Sequence, residues 1–304
     1  MPTELSEFSN ALADATARAA ASIVAVHTET HGSSSGVIWR PGVVVTSEHA
    51  LRRDEEIRVT LPDGRVAAAT LAGRDPSTDL AALNCAEASA AVAQTAPPDS
   101  VRAGSLTLVV GRTRASGPVA ALGVVSLRTD ERRTWTGTAL KPYIRLDVGL
   151  GPTAVGGAAV DAQARFIGIA TPRFGRFGVV AIPATLVDRV IDTLLQKGRI
   201  PRGYLGVGLQ AVRLPDALRE SLQRTEKTAA IVLEVEPEGP AHKAGIVIGD
   251  IFVALENQPV SCVEDVQTHL HGEAIGKRIS AKVIRGGAVR ELAITVGERG
   301  REGN

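Results

Sequence analysis

The chain has 304 residues, 44% of them hydrophobic and 22% charged, and a formal net charge of +1. That length suggests about two domains at ~150 residues each, large enough to need neither a disulfide nor a metal as a staple. The near-neutral charge excludes a nucleic-acid footprint and attraction to anionic lipid. No run reaches the ~18 apolar residues of a membrane span.

The start, Met1-Pro2-Thr3-Glu4-Leu5-Ser6-Glu7, is acidic and polar, unlike the basic-then-apolar opening of a secretory signal, and so favours the cytoplasm. Thr3 to Ala21 reads as a helix, with Thr3 as its N-cap and Leu5, Phe8 and Leu12 on one face. That stripe packs on its own domain or serves as an oligomerisation arm; the first is the expectation. From Ser22 short β-branched runs alternate with Gly, Pro and Asp turns: Ser22–Val26, Gly36–Trp39, Gly42–Thr46, Ile57–Leu61, Leu106–Val110 and Gly123–Leu127. Many short strands without long intervening helices predict a barrel or sandwich. A helix follows at Pro183–Lys197, carrying Leu186, Val187, Val190, Ile191, Leu194 and Leu195 at helical period and stopped by Gly198. Beyond it lie strands at Tyr204–Gln210, Ala230–Val235, Ile251–Leu255, Arg278–Ile284 and Arg290–Val296, one helix at Val263–Leu270, and a polar tail, Arg299–Asn304.

Three blocks carry a resemblance: Gly32-Ser33-Ser34-Ser35-Gly36-Val37-Ile38, Val45-Thr46-Ser47-Glu48-His49-Ala50-Leu51, and Gly73-Arg74-Asp75-Pro76-Ser77-Thr78-Asp79-Leu80-Ala81. In order and spacing they resemble the HtrA/DegP-like serine proteases. Gly203-Tyr204-Leu205-Gly206-Val207 and Pro240–Phe252 resemble the carboxylate-binding strand entry and signature of that family's PDZ module. The implied fold is mostly β, a trypsin-like double β-barrel followed by an α+β PDZ domain. The expected divisions are an N-terminal helix (1–21), a protease-fold domain (22–197), a linker (198–202) and a PDZ domain (203–298).

Such a site needs a serine that attacks, a histidine that takes its proton, and an aspartate that holds the histidine's tautomer, with backbone N–H groups for the oxyanion. The resemblance implies His49 as base and Asp79 as its orienter. The serine block departs from the family. Asp147-Val148-Gly149-Leu150-Gly151-Pro152-Thr153-Ala154-Val155-Gly156-Gly157 aligns without a gap, and Val155 falls on the nucleophile, Thr153 on a glycine and Ala154 on an asparagine. Valine offers no nucleophilic atom, and a threonine in place of glycine restricts the turn that shapes the oxyanion hole. Loss of the nucleophile alone costs ~10⁶-fold in kcat in comparable triads. Thr153 lies two residues off the apex, where reach counts against it as a substitute; otherwise it is a turn residue bonding its own backbone.

No metal or cofactor is expected: His27, His31, His242, His269 and His271 show no zinc spacing, and two ligands make a poor metal site. Cys85 and Cys262 are expected as reduced thiols in different domains. In the PDZ module Gly203, Tyr204, Leu205, Gly206 and Val207 are the expected peptide-binding entry, with Val266 and Leu270 completing the pocket. The chain thus reads as an inactive protease homologue that binds peptides or unfolded protein C-termini. The alternatives are an active endopeptidase with an atypical nucleophile and a structural or regulatory subunit of an oligomer, a homo-trimer being what the resemblance implies. No nucleic-acid partner is expected. The resembled family points to the cell envelope, against the cytoplasm that the polar start favours.

Overall fold

The computed structural model describes residues 3–27, 32–51, 56–89, 91–134, 138–175, 178–270 and 274–298, so His31, His271 and the tail Arg299–Asn304 lie outside the described residues. The chain forms two compact units, Met1–Ile200 and Pro201–Asn304.

The first unit opens with α1 (Glu4–Ala20), whose N-cap Thr3 accepts the Ser6 N–H. The stripe Leu5, Phe8 and Leu12 does not seat this helix as a whole. Leu5 is 75% exposed and Phe8 44%, while Ala15, Ala19 and Ala20 are buried and Leu12 packs against the same core. A helix of this length runs ~25 Å, and its C-terminal half is what meets the barrels.

Six strands, β1 (Ile23–His27), β2 (Ser34–Arg40), β3 (Val43–Ser47), β4 (Ile57–Thr60), β5 (Val66–Asp75) and β6 (Leu80–Asn84), close a barrel in the order β1-β2-β3-β6-β5-β4. Six more close a second barrel: β7 (Leu106–Thr113) and β8 (Gly117–Thr129), then, after the short ribbon β9 (Arg132–Arg133) and β10 (Ala139–Leu140), β11 (Tyr143–Asp147), β12 (Ala158–Val160), β13 (Phe166–Thr171) and β14 (Val179–Pro183). In each barrel every strand has a neighbour on both sides. The unbroken valine run of β3 follows from its place between two cores. Val44 points into the first barrel, while Val45 joins a core with Val37, Leu80, Val110, Ile169 and Ile182. Both faces are apolar, so the period-2 alternation of a half-solvated strand is absent. α2 (Ala184–Lys197) lays Leu186, Val187, Val190, Ile191 and Leu194 on that core and ends at Gly198, which is left-handed at φ +69°.

The second unit has β15 (Gly203–Tyr204), β16 (Val207–Arg213), β17 (Thr228–Val235), β18 (Ile251–Leu255), β19 (Gln258–Pro259), β20 (Arg278–Arg285), β21 (Ala288–Thr295) and β22 (Gly297–Glu298). The main sheet runs β16-β17-β18-β20-β21, with β19 on β18, and β15 pairs with β22. Two corrections to the sequence expectations arise here. The strand expected over Tyr204–Gln210 breaks at Leu205–Gly206, because Gly206 is left-handed at φ +75°. The single helix expected is accompanied by two short ones, α3 (Asp216–Ser221) and α4 (Pro240–Lys243), while α5 spans Val263–Gln267 and continues only as turns to Leu270. Among the described residues no helix is long and apolar enough to cross a membrane.

Candidate functional site

Asp79 is presented by a side-chain-built turn. The Asp75 carboxylate accepts the Ser77 N–H at 3.1 Å, the Ser77 hydroxyl at 2.6 Å and the Thr78 hydroxyl at 2.8 Å. This turns the chain so that Asp79 adopts φ +58° and is fully buried. β3 runs directly into a single 3-10 turn, Glu48–Ala50, whose Glu48 N–H bonds the Asp79 carbonyl at 3.1 Å. His49 therefore stands over the Asp79 carboxylate, donating its backbone N–H to Oδ1 at 3.0 Å and setting Nδ1 at 2.8 and 2.9 Å from the two oxygens. The Thr171 hydroxyl, from β13, donates to Oδ2 at 2.5 Å. Burial pushes the Asp79 carboxyl up, but the bonds from His49 and Thr171 outweigh it and hold the carboxyl below its ordinary value. An ionised carboxylate only accepts, so Nδ1 carries a proton, and in the neutral ring Nε2 is the acceptor. The His49 side chain is 31% exposed, so Nε2 belongs to a group that solvent reaches. Thr171 was not foreseen; it is 92 residues from Asp79 and no spacing rule connects them.

The glycine-bounded segment 151–157 lies alongside. Pro152–Ala154 is a 3-10 turn, with Ala154 N–H bonded to Gly151 O at 2.9 Å, Val155 N–H to Pro152 O at 3.3 Å, and Gly157 N–H to Ala154 O at 3.0 Å. Ser35, from the glycine–serine block, clamps the turn twice: its hydroxyl donates to Thr153 O at 2.5 Å and its N–H to Val155 O at 2.9 Å. The Arg112 N–H in turn donates to the Ser35 hydroxyl at 2.8 Å. Gly156 has φ +77°, and a Cβ there would fall 2.5 Å from Ser35 O, 2.6 Å from Thr46 Oγ1 and 2.8 Å from Ser47 N, so only glycine fits. The Gly156 N–H bonds Ala170 O, next to Thr171. The turn bearing Val155 is thus packed against the strand that delivers His49 and the strand that delivers Thr171. Val155 is half-buried, and its one backbone donor is spent inside the turn. The Thr153 hydroxyl makes no hydrogen bond among the described residues, so it does not bond its own backbone as expected.

In the second unit β16 is an end strand of its sheet, beside α5. Leu205 O and Gly206 O are used by Ala241 N–H and Glu236 N–H, both at 2.8 Å, while the N–H groups of Leu205 and Gly206 have no acceptor among the described residues. The Gly203 N–H is committed to Leu270 O at 2.9 Å, and Tyr204 donates its hydroxyl to Glu236. Leu205 and Val266 are 2% exposed and sit inside the apolar core. They form the floor behind the edge, where Val207, Leu209 and Leu270 are the partly buried apolar groups.

His27 is buried in the first barrel with Nε2 on the Thr60 hydroxyl at 3.1 Å, His242 borders Glu238, and His269 bonds the Asp265 carbonyl. Cys85 and Cys262 are free thiols in separate units. Among the described residues no three His, Cys, Asp or Glu side chains converge as a metal cage.

The first unit matches the trypsin-like peptidase domain over residues 34–169, and the second the PDZ domain over residues 203–296. The solved structure of the HtrA-type protease AlgW with a tripeptide shares 30% identity over 95% of this chain and 97% of its own, with a TM-score of 0.72. The chain belongs to the HtrA-type protease family. Within that family, AlgW with a decapeptide superposes with a TM-score of 0.75 at 28% identity, over 95% of this chain and 98% of its own. The serine endoprotease of Yersinia pestis gives 0.75 at 26%, over 99% of this chain and 100% of its own. A probable periplasmic serine endoprotease, DegP-like, of Brucella suis is 31% identical over 89% of this chain and 54% of its own. This HtrA-type chain spans about half the length of the curated relatives it matches.

Proposed function

We propose that this HtrA-type chain is a catalytically inactive protease homologue that binds peptides or protein C-termini along β16 of its PDZ domain. The observation that carries the proposal is Val155, which falls on the family's nucleophile when the serine block is aligned without a gap. It has no hydroxyl or thiol to attack with, and its N–H is bonded to Pro152 O instead of being free for an oxyanion. The binding half rests on the unpaired edge of β16, the two unengaged N–H groups of Leu205 and Gly206, and the apolar groups Val207, Leu209 and Leu270 beside them. These are the components of strand addition by a peptide with a free carboxylate. The peptides carried by the related AlgW structures agree with such a use.

Two measurements test it together. A fluorophosphonate probe should leave the chain unlabelled, and labelling that disappears in His49→Ala would refute inactivity. Peptides ending in an apolar residue should bind at micromolar Kd, about −8 kcal/mol, and amidation of their C-terminus should weaken them sharply. Equal binding of the free and amidated forms would refute the assignment of Leu205 and Gly206.

One observation favours a second function, an active endopeptidase with an atypical nucleophile. The His49–Asp79–Thr171 set is fully bonded and the Thr153 hydroxyl is unengaged. The same probe decides it, because Thr153→Val would then abolish labelling.

A further inference from the structure

The outer face of the β16 edge is acidic at one defined point. Val207 and Leu209 pack toward the core, so Gly208 between them faces the other way. Gly208 is paired with Glu234 of β17, and it leaves that side chain uncovered. A Cβ on Gly208 would fall 3.0 Å from Glu234 Cβ and 3.5 Å from Glu234 Oε2, so the carboxylate lies across the glycine at the edge of the sheet. Glu234 is exposed, and no hydrogen bond or ion pair engages it among the described residues. On the same stretch Glu236 Oε2 lies 3.3 Å from the corresponding point on Gly206 and accepts the Tyr204 hydroxyl.

The register of an added strand follows from the pleat. A chain running antiparallel to β16, with its terminal carboxylate on the N–H groups of Leu205 and Gly206, sets its last residue beside Val207 on the inward face. Its penultimate residue then lies opposite Gly208, and opposed residues of an antiparallel pair share a face. The penultimate side chain therefore emerges beside the Glu234 carboxylate, with no β16 side chain between them.

We propose that Glu234, exposed across Gly208, selects C-terminal peptides with lysine or arginine at the penultimate position. The proposal rests on the peptide-binding function given above and names the ligand class for it. An exposed pair of this kind is screened by salt and discriminates modestly.

The test uses the whole chain and fluorescein-labelled octapeptides that end in valine, with lysine, alanine or glutamate in the penultimate place, read by anisotropy at low salt. Each is made with a free and with an amidated C-terminus. The expected order is lysine over alanine over glutamate, with about three- to fivefold between lysine and alanine, shrinking as salt is added. Glu234→Gln should bring the lysine-to-alanine ratio near one, and Glu234→Lys should invert the order. Free peptides that outbind their amides but show no dependence on the penultimate residue overturn the proposal and leave the peptide-binding function standing. Amides that bind as well as free peptides, or no binding at all, overturn both.

Discussion

Asp79 stays ionised in a place sealed from water because three donors reach it: the His49 ring, the His49 N–H and the Thr171 hydroxyl. Its folded pKa is depressed, so its contribution to stability is present above the unfolded value of ~3.9 and is lost as pH falls through the folded one. Thr171→Val removes one donor without changing shape. It should cost about 1–3 kcal/mol at neutral pH and move acid unfolding to a higher pH, measured by melts across the acid range. His27 works at another pH. Burial first, then the charges of Arg114 and Arg58, lower its pKa, so the unfolded chain takes up a proton before the folded one does. Stability from this group is present above ~6.5 and declines as pH falls below it. His27→Gln, which keeps a polar atom for Thr60 but does not titrate, should flatten the pH dependence of Tm between about 5 and 7. An unchanged slope would show that His27 does not set it.

At the scale of elements, the turn 151–157 matters more than the residue at its apex. Ser35 holds both Thr153 O and Val155 O, and the Val155 N–H is consumed by Pro152 O. Val155→Ser alone should therefore restore little cleavage of an unfolded substrate, because a missing oxyanion donor costs 10²–10³-fold. Thr153→Gly with Ala154→Asn and Val155→Ser should cleave clearly faster, since glycine frees the turn to reorient its N–H groups. Equal rates would mean the turn was competent all along. In the PDZ domain, the loop after α4 is tied to β20 by Asp250, which is fully buried, and Arg285, whose guanidinium also donates to Gly245 O. Arg285→Ala leaves a buried carboxylate short of its cation. It should destabilise that domain by about 2–3 kcal/mol, below the usual cost for a buried pair because the arginine is one-third exposed. Urea denaturation of the variant checks this.

Across the whole molecule, what could be read from the sequence is what local chemistry encodes. The valine and isoleucine runs of β1–β4 announce strands, and the leucine period of Pro183–Lys197 with Gly198 after it announces α2. The fold class and family follow from motif blocks. β5 is not visible, because Ala67 and Ala69, its buried apolar residues, carry almost no strand preference. α4, four residues begun by Pro240, is too short to show a period. At the site, His49 and Asp79 stand out in the sequence, and they do meet in space. Thr171 and the grip of Ser35 on Thr153 span 92 and 118 residues, and only the closed barrels bring them together. The conformation of the turn depends on those long-range bonds, so it too was out of reach of the sequence.

The proposed function is that this HtrA-type chain binds polypeptide without cutting it. The most direct measurement is release of labelled peptide from unfolded casein by the wild-type chain in the presence of a chelator, beside His49→Ala. The expected rate for the wild type is no greater than that of His49→Ala and of casein alone. Steady turnover by the wild type that survives chelation and vanishes in His49→Ala would contradict it.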